Sequence, residues 1–312
     1  MHQEYADGIG KIVVKLMGNR FEFSAAHTDK KTALDALCCA VEEVKRIERL
    51  LSTYIDDSQT QLINNNAGIQ AVKVDKEVIA LIQRSRRISE LTQGAFDITY
   101  GSIDKSLWNF DKNMAQLPSL EVARRAVRLI NYKNIIINDD NTVMLKYKGM
   151  LIGFGGIGKG YAAEQAKQVM QEKGIQNGIV NASGDLSVWG HHPSGNPWIV
   201  GIVHPDDPGT YFASFPLEDR AVATSGNYEK YVVIKGKKYS HTIDPKTGLP
   251  IQGIKSVSVI CPNAEFADAM ATPISVMGIE AGLFMVNQLK DVDCIIIDDN
   301  NKVYKSHSIN FL

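Results

Sequence analysis

Strand-like runs come in pairs along this chain with amphipathic helices between them, an order that does not fit the regular strand–helix–strand alternation of a doubly wound sheet. Lys11 to Gly18 is rich in β-branched residues, breaks at Gly18-Asn19 and resumes at Phe21-Glu22-Phe23, so residues 11–26 read as a strand pair. Asp29 to Leu51 reads as a helix. Its residues Leu34, Leu37, Cys38, Val41, Val44, Ile47 and Leu51 make an inner face, leaving Glu42, Glu43, Lys45 and Arg46 to water. Ser52 to Asn66 reads as a polar loop, Lys76 to Thr92 as a second helix, and Leu120 to Ile130, entered through Pro118-Ser119, as a third.

A hairpin is expected from 135–137 and 142–147 across Asp139-Asp140-Asn141, then a helix from Gly160 to Lys173. Strands are expected at 178–181, 198–202, 231–234, 256–260 and 294–297, with further helices from Ala264 to Met277 and from Ile279 to Leu289. The class is therefore α+β, with mixed or antiparallel sheets packed against helices. No low-complexity linker or repeat divides the chain, so 1–312 reads as one compact domain or two closely packed subdomains.

The charge balance narrows the function. With 34 basic and 35 acidic residues the net charge is −1, which offers no electrostatic basis for wrapping a nucleic-acid backbone. No run approaches the roughly 18 to 20 apolar residues of a membrane helix. The start, Met1 to Asp7, lacks the basic and apolar regions of a signal peptide. As written the chain is expected in the cytoplasm; one whose upstream export signal had been removed would look the same and would be exported or periplasmic. Cys38, Cys39, Cys261 and Cys294 are expected as buried free thiols, with neither a zinc site nor a disulfide framework.

Five polar islands, four of them bearing glycine, carry the chemistry. Ser240 to Pro250 contains Asp244-Pro245 and Thr247-Gly248-Leu249-Pro250, which lock turns and present His241 and Asp244 at a fixed place. Gly155 to Gly160 lets the backbone approach a ligand and leads into a helix amino terminus, where free amides favour phosphate, although its spacing is neither that of a P-loop nor that of a Rossmann turn. Asp268 and Thr272 stand four apart in a helix, one turn above each other, a carboxylate and a hydroxyl suited to a hard cation such as magnesium. By itself that pair reads more readily as a surface aspartate and a threonine bonded back to a carbonyl.

In Gly94 to Thr99, Gly94 reads as a helix cap and Phe96 as a core aromatic, while the Asp97 carboxylate needs donors that a nucleotide or the backbone could supply. Ala223 to Tyr228 is the fifth island, and Tyr54 could stack on a planar ring or shield one. His241 reads either as a satisfied strand-end histidine or as a general base.

Taken in order, Met17-Gly18, Ser52-Thr53-Tyr54 with Asp57-Ser58, Gly94 to Thr99, Gly155 to Gly160, Ala221 to Tyr228, His241 to Pro250 and Ala267 to Thr272 resemble the FAD:protein FMN transferases, the ApbE family of flavin transferases. The likeness runs from Met17 to about Gly278. It implies an enzyme that binds FAD with Mg2+, splits the pyrophosphate, transfers FMN to a threonine or serine hydroxyl of an acceptor flavoprotein, and releases AMP.

The resemblance further implies that the carbonyl of Gly158 and the side chains of Asp268 and Thr272 hold the metal. Met17, Tyr54, Ala95, Phe96, Asp97 and Tyr161 would line FAD, with Thr242 beside it and Thr224 and Ser225 near the same pocket, and His241 would assist attack by the acceptor hydroxyl. The chain departs from the family pattern at Asn19, where threonine is usual, at Gly158 in place of alanine, at Gly153 in place of an acidic residue, and at Ser183-Gly184-Asp185 in place of Gly-Gly-Asn. Two further readings suit the same residues: a magnesium-dependent FAD pyrophosphatase and a non-catalytic FAD carrier.

Overall fold

In chain order the elements are β1 (His2–Ala6), β2 (Ile9–Leu16), β3 (Asn19–Ala26), α1 (Lys30–Leu51), α2 (Gln59–Asn65), β4 (Val72–Lys73), α3 (Lys76–Leu91), α4 (Leu120–Ala126), β5 (Ile135–Ile137), β6 (Thr142–Leu145), α5 (Gly158–Glu172), β7 (Asn177–Ala182) and β8 (Asp185–Trp189). They continue as β9 (Trp198–His204), β10 (Asp207–Leu217), β11 (Ala221–Gly226), β12 (Tyr231–Ile234), β13 (Lys237–Ser240), β14 (Ile254–Cys261), α6 (Ala264–Met277), α7 (Ile279–Val286), β15 (Asp293–Asp298) and β16 (Val303–Lys305). The computed structural model describes residues 2–111, 113–204, 206–226 and 231–309. Asn227 and Tyr228 of the fifth island lie outside the described residues.

One nine-stranded sheet runs β1-β2-β3-β7-β8-β11-β14-β15-β16, and its neighbouring strands pair antiparallel. Period-two alternation decides which side chains meet which layer. Phe21, Phe23, Ala221, Ala223, Val257 and Val259 join the core that α1, α5 and α6 cover. Val188, Val222, Ile260 and Ile295 point the other way, onto Trp198, Val200 and Ile202 of β9 and Phe215 and Leu217 of β10. The α+β class with antiparallel sheets is what the paired runs require.

Helix α1 starts at the N-cap Asp29, whose carboxylate accepts from the Thr32 amide. Its inner face is more alanine than expected: Ala33, Ala36 and Ala40 are fully buried with Leu37, while Cys38 is exposed and Cys39 half-buried. Close packing explains this, because a Cβ on Gly10 of β2 would lie 3.2 Å from the Ala33 methyl. Cys261 and Cys294 are buried, and burial pushes their thiols up to about 11 and about 12.

The face of α1 assigned to water is also corrected in part. Arg46 bridges Glu43 and, through 2.7 and 2.9 Å bonds, Glu77 of α3. The expected polar loop 52–66 contains α2, whose N-cap Ser58 accepts from the Gln61 amide at 3.0 Å. The third helix stops at Ala126, the last at Val286, and β1, β4, β8, β10, β11, β13 and β16 join the strands foreseen.

Candidate active site

The turn Met17-Gly18 closes the β2–β3 hairpin with both residues at positive φ, 49° and 74°, a two-residue loop whose twist matches the strands. Asn19, where the family has threonine, fastens it by donating from Nδ2 to the Met17 carbonyl at 2.7 Å. This places the Met17 side chain against the start of α5, its Cε 3.6 Å from where a Cβ on Gly158 would sit.

The second hairpin has the same design. Ser183 and Gly184 take φ of 57° and 100°, Ala182 pairs with Asp185, and Asn181 Oδ1 accepts from the Gly184 amide at 2.8 Å. The departure Ser183-Gly184 therefore keeps a tight turn, and Asp185 leaves it aimed into a cavity of about 480 Å3, a volume typical of small-molecule sites.

Six stretches of chain line that cavity, within 95–101, 153–159, 224–226, 241–245 and 268–276 and at Asp185. Ala95, Phe96 and Asp97 form one side, where Gly94 caps α3 by donating to the Ser89 carbonyl at 2.7 Å. Asp97 is buried, and both its oxygens are taken by the chain: Oδ1 accepts from the Thr99 amide and hydroxyl at 2.8 and 2.6 Å, Oδ2 from the Tyr132 amide at 2.8 Å. Burial raises its pKa against those three bonds. Asp97 thus builds the wall by pinning the turn, and of the two kinds of donor foreseen for it the structure supplies the backbone, with the Thr99 hydroxyl.

The glycine segment makes the second side, with Gly153, Gly155 and Gly156 on the wall. It is held by Gly153 N–H donating to the Ile98 carbonyl at 2.8 Å, and by the buried Asn64 amide, which bonds both the Ile152 carbonyl (2.9 Å) and the Ile152 amide (2.7 Å). Asn64 is on α2, so the helix absent from the sequence reading is what anchors this segment. The pattern Ser58-x-x-Gln61, a capping-box signature, was the available signal.

Beyond it α5 begins, and Lys159 enters the cavity where it ion-pairs with Asp185 and stands 3.5 Å from Asp268 Oδ1. Burial alone would pull the Lys159 ammonium down; Asp268 and then Asp185 override it and hold it raised, so it stays charged. Burial, and then the Asp268 charge, push the Asp185 carboxyl up to about 7 even with Lys159 and the Thr224 amide opposing. Lys159 and Asp185 are functional candidates that the sequence reading did not assign.

The floor is α6. Asp268 is buried and its Oδ2 accepts from the Gly160 amide at 3.0 Å, while Thr272 donates to Ser225 Oγ at 3.4 Å. Ser225 faces α6, but the Thr224 hydroxyl turns to the other side of the sheet and pairs with Ser258 at 2.8 Å. His241 and Thr242 form the last wall on the loop after β13, the histidine exposed and edge-on to Phe110 with ring centroids 6.5 Å apart. The loop is fixed by Ile243 N–H donating to the Tyr100 hydroxyl at 3.1 Å and by the Asp244 carboxylate, which closes its own turn on Lys246 N (2.8 Å) and Thr247 Oγ1 (2.9 Å).

His241, Thr242, Ala95, Phe96, Asp97, Thr224, Ser225, Asp268 and Thr272 therefore meet in one place. Gly158, buried at the start of α5, is adjacent in sequence to Lys159 but not on the cavity wall. Tyr54 is 95% exposed on the α1–α2 connection. Tyr161 is not on the cavity wall: its hydroxyl bonds Glu77 and its ring lies under the Arg84 guanidinium, 5.6 Å away. With Lys159 facing the cavity, a residue two further on points about 200° around the helix, towards α3.

Comparison with known proteins decides the family. The ApbE family pattern matches residues 17–296. The chain belongs to the ApbE family. An ApbE relative from Escherichia coli K12, an FAD:protein FMN transferase, is 31% identical over 273 residues, covering 85% of this chain and 78% of its own. The FAD:protein FMN transferase of Vibrio cholerae is 31% identical over 288 residues, covering 90% and 84%. Among solved ApbE structures, that from Thermotoga maritima superposes with a TM-score of 0.84 at 30% identity, covering 96% of this chain and 97% of its own. The flavin transferase ApbE of Vibrio cholerae gives 0.82 at 25%, covering 98% of each.

Proposed function

We propose that this ApbE-family chain takes FAD as its substrate and transfers the FMN half to a serine or threonine hydroxyl of an acceptor flavoprotein, releasing AMP. The observation that carries the reading is the meeting of His241 and Thr242 with the Lys159–Asp185–Asp268–Thr272 cluster across a single cavity.

The acceptor hydroxyl oxygen attacks the FMN phosphorus; a P–O bond forms there as the P–O bond to the bridging oxygen breaks, and AMP leaves with that electron pair. The hydroxyl proton passes to the His241 imidazole, which stands exposed at the wall where an acceptor segment arrives. Lys159 supplies fixed positive charge to a diphosphate in the cavity, and the glycine segment lets that group approach the backbone.

The residues also fit magnesium. Asp185 and Asp268 bring two carboxylates to one ammonium, an excess of negative charge that a cation would compensate, and the Thr272 and Ser225 hydroxyls add hard oxygen donors. Asp268 and Thr272, which line the cavity, would hold it. Bound there, the ion would neutralise charge developing on the diphosphate oxygens.

The test is to incubate the protein with FAD, magnesium and a threonine-bearing acceptor, following acceptor mass and AMP. A mass gain equal to one FMN with stoichiometric AMP is expected. Free FMN with no covalent product would make the chain a pyrophosphatase, and tight FAD binding without AMP would make it a carrier.

A further inference from the structure

A basic groove of about 640 Å3 lies on the outer side of the Asp97 wall. Arg124, Arg128, Lys133 and Lys246 line it, and all four are exposed. They come from three separate segments: α4 and its continuation, the turn after Asn131, and the turn after Asp244. The ion pairs among the described residues lie elsewhere and include none of the four. On a chain of net charge −1 this is a local concentration of cations.

The acidic groups of the region do not neutralise it. Against four cations the groove is lined by two carboxylates, Glu90 of α3 and Asp97, the latter with both oxygens bonded to Thr99 and Tyr132, while Asp104 is near enough to Arg128 to feel its charge. The three segments are also pinned together. Gly248 packs so tightly on α4 that a Cβ there would lie 2.1 Å from the Ala123 carbonyl oxygen, and the Thr99 hydroxyl accepts from the Asn131 amide at 2.8 Å. The cations are thus held in register by the same turns that shape the catalytic cavity.

Asp97 and Pro245 line both spaces, so groove and cavity share a wall. We infer that the groove binds an acidic segment of the acceptor protein and so delivers its hydroxyl to the cavity beside His241. This rests on the transferase reading and names the chemistry of its second substrate. The dinucleotide has a cation of its own in Lys159, inside the cavity, whereas cations spread along an exposed groove suit the dispersed carboxylates of a peptide.

Two fluorescein-labelled decapeptides test this on the full chain, one with aspartate and glutamate around a single threonine and one with asparagine and glutamine in their place. Anisotropy is expected to show the acidic peptide binding about tenfold tighter, with the advantage lost between about 50 and 300 mM salt and in Arg124→Glu/Arg128→Glu. Thermal melting of that variant and of Lys246→Glu, which should weaken the preference on its own, verifies folding. Equal binding of the two peptides, or an unchanged preference in the variants, overturns the proposal. So does a parallel loss of FAD affinity in the double variant, which would assign the groove to the dinucleotide. Retained acidic preference with no AMP formed from FAD would instead sink the transferase reading and leave the groove as an acidic-peptide site.

Discussion

The amide of Gly160 donates a 3.0 Å hydrogen bond to the carboxylate of Asp268, joining the first turn of α5 to α6 at the floor of the cavity. Only glycine permits the approach, since a Cβ at 160 would lie 2.1 Å from the Ala264 carbonyl oxygen and 2.8 Å from the Asp268 Cβ. Gly160→Ala is therefore expected to cost about 2–3 kcal/mol in urea unfolding, through overpacking, and to lower turnover by displacing Asp268. Gly158→Ala is the control: its nearest neighbours would be the Phe154 Cβ at 3.4 Å and Met17 Cε at 3.6 Å, ordinary contacts. It should gain about 0.5–1 kcal/mol from helix propensity and keep its activity. Similar unfolding curves for the two variants would refute the packing argument.

Asp268→Ala is expected to abolish transfer, and a second measurement separates metal binding from chemistry. Magnesium should raise the Tm of the wild-type chain by stabilising the folded state, and should leave the Tm of the variant unchanged. An equal magnesium shift in both would remove Asp268 from the ion's ligands.

His241 stands exposed at the cavity wall, its ring edge-on to Phe110. His241→Ala should lower kcat about 100-fold or more while FAD affinity by fluorescence titration changes little. A matching loss of FAD affinity would make it a binding residue.

Glu77 gives an acid-sensitive contribution to stability. Its bond to Arg46, aided by that from Tyr161, holds its carboxyl below the ordinary value of 4.5 despite burial. A lowered folded-state pKa stabilises above the unfolded value and is lost as pH falls through the folded one. The wild-type chain should therefore lose about 1 kcal/mol more than Glu77→Gln on going from pH 7 to below 4, the figure being held down by partial exposure. Urea unfolding at the two pH values reads the difference. Tyr161→Phe should destabilise without altering FAD affinity, since its hydroxyl serves Glu77.

Much of the site was legible because turn chemistry is local. Asp244-Pro245 and Thr247-Gly248 specify their loop wherever it packs, and the Asp268/Thr272 pair shares a helix face by spacing alone. Lys159 and Tyr161 show the limit of island-reading: both lie in or beside the glycine island, yet helical rotation sends one to the cavity and the other to Glu77. Strand β11 was hidden for another reason. Ala-Val-Ala-Thr-Ser-Gly has little β-propensity, and its register from Ala221↔Cys261 to Gly226↔Ser256 comes from pairing with β14.

The amino-acid order alone determined the α+β class, the amphipathic helices, the turns and the set of islands, because each rests on interactions within a few residues. Only the tertiary structure decided that Asp185 and Lys159 share the floor with Asp268, that Asp97 is consumed by Thr99 and Tyr132, and that four cations flank the cavity. These depend on which distant segments close together, and burial and charge at such a meeting point are properties of the assembled neighbourhood, carried by no single stretch of chain.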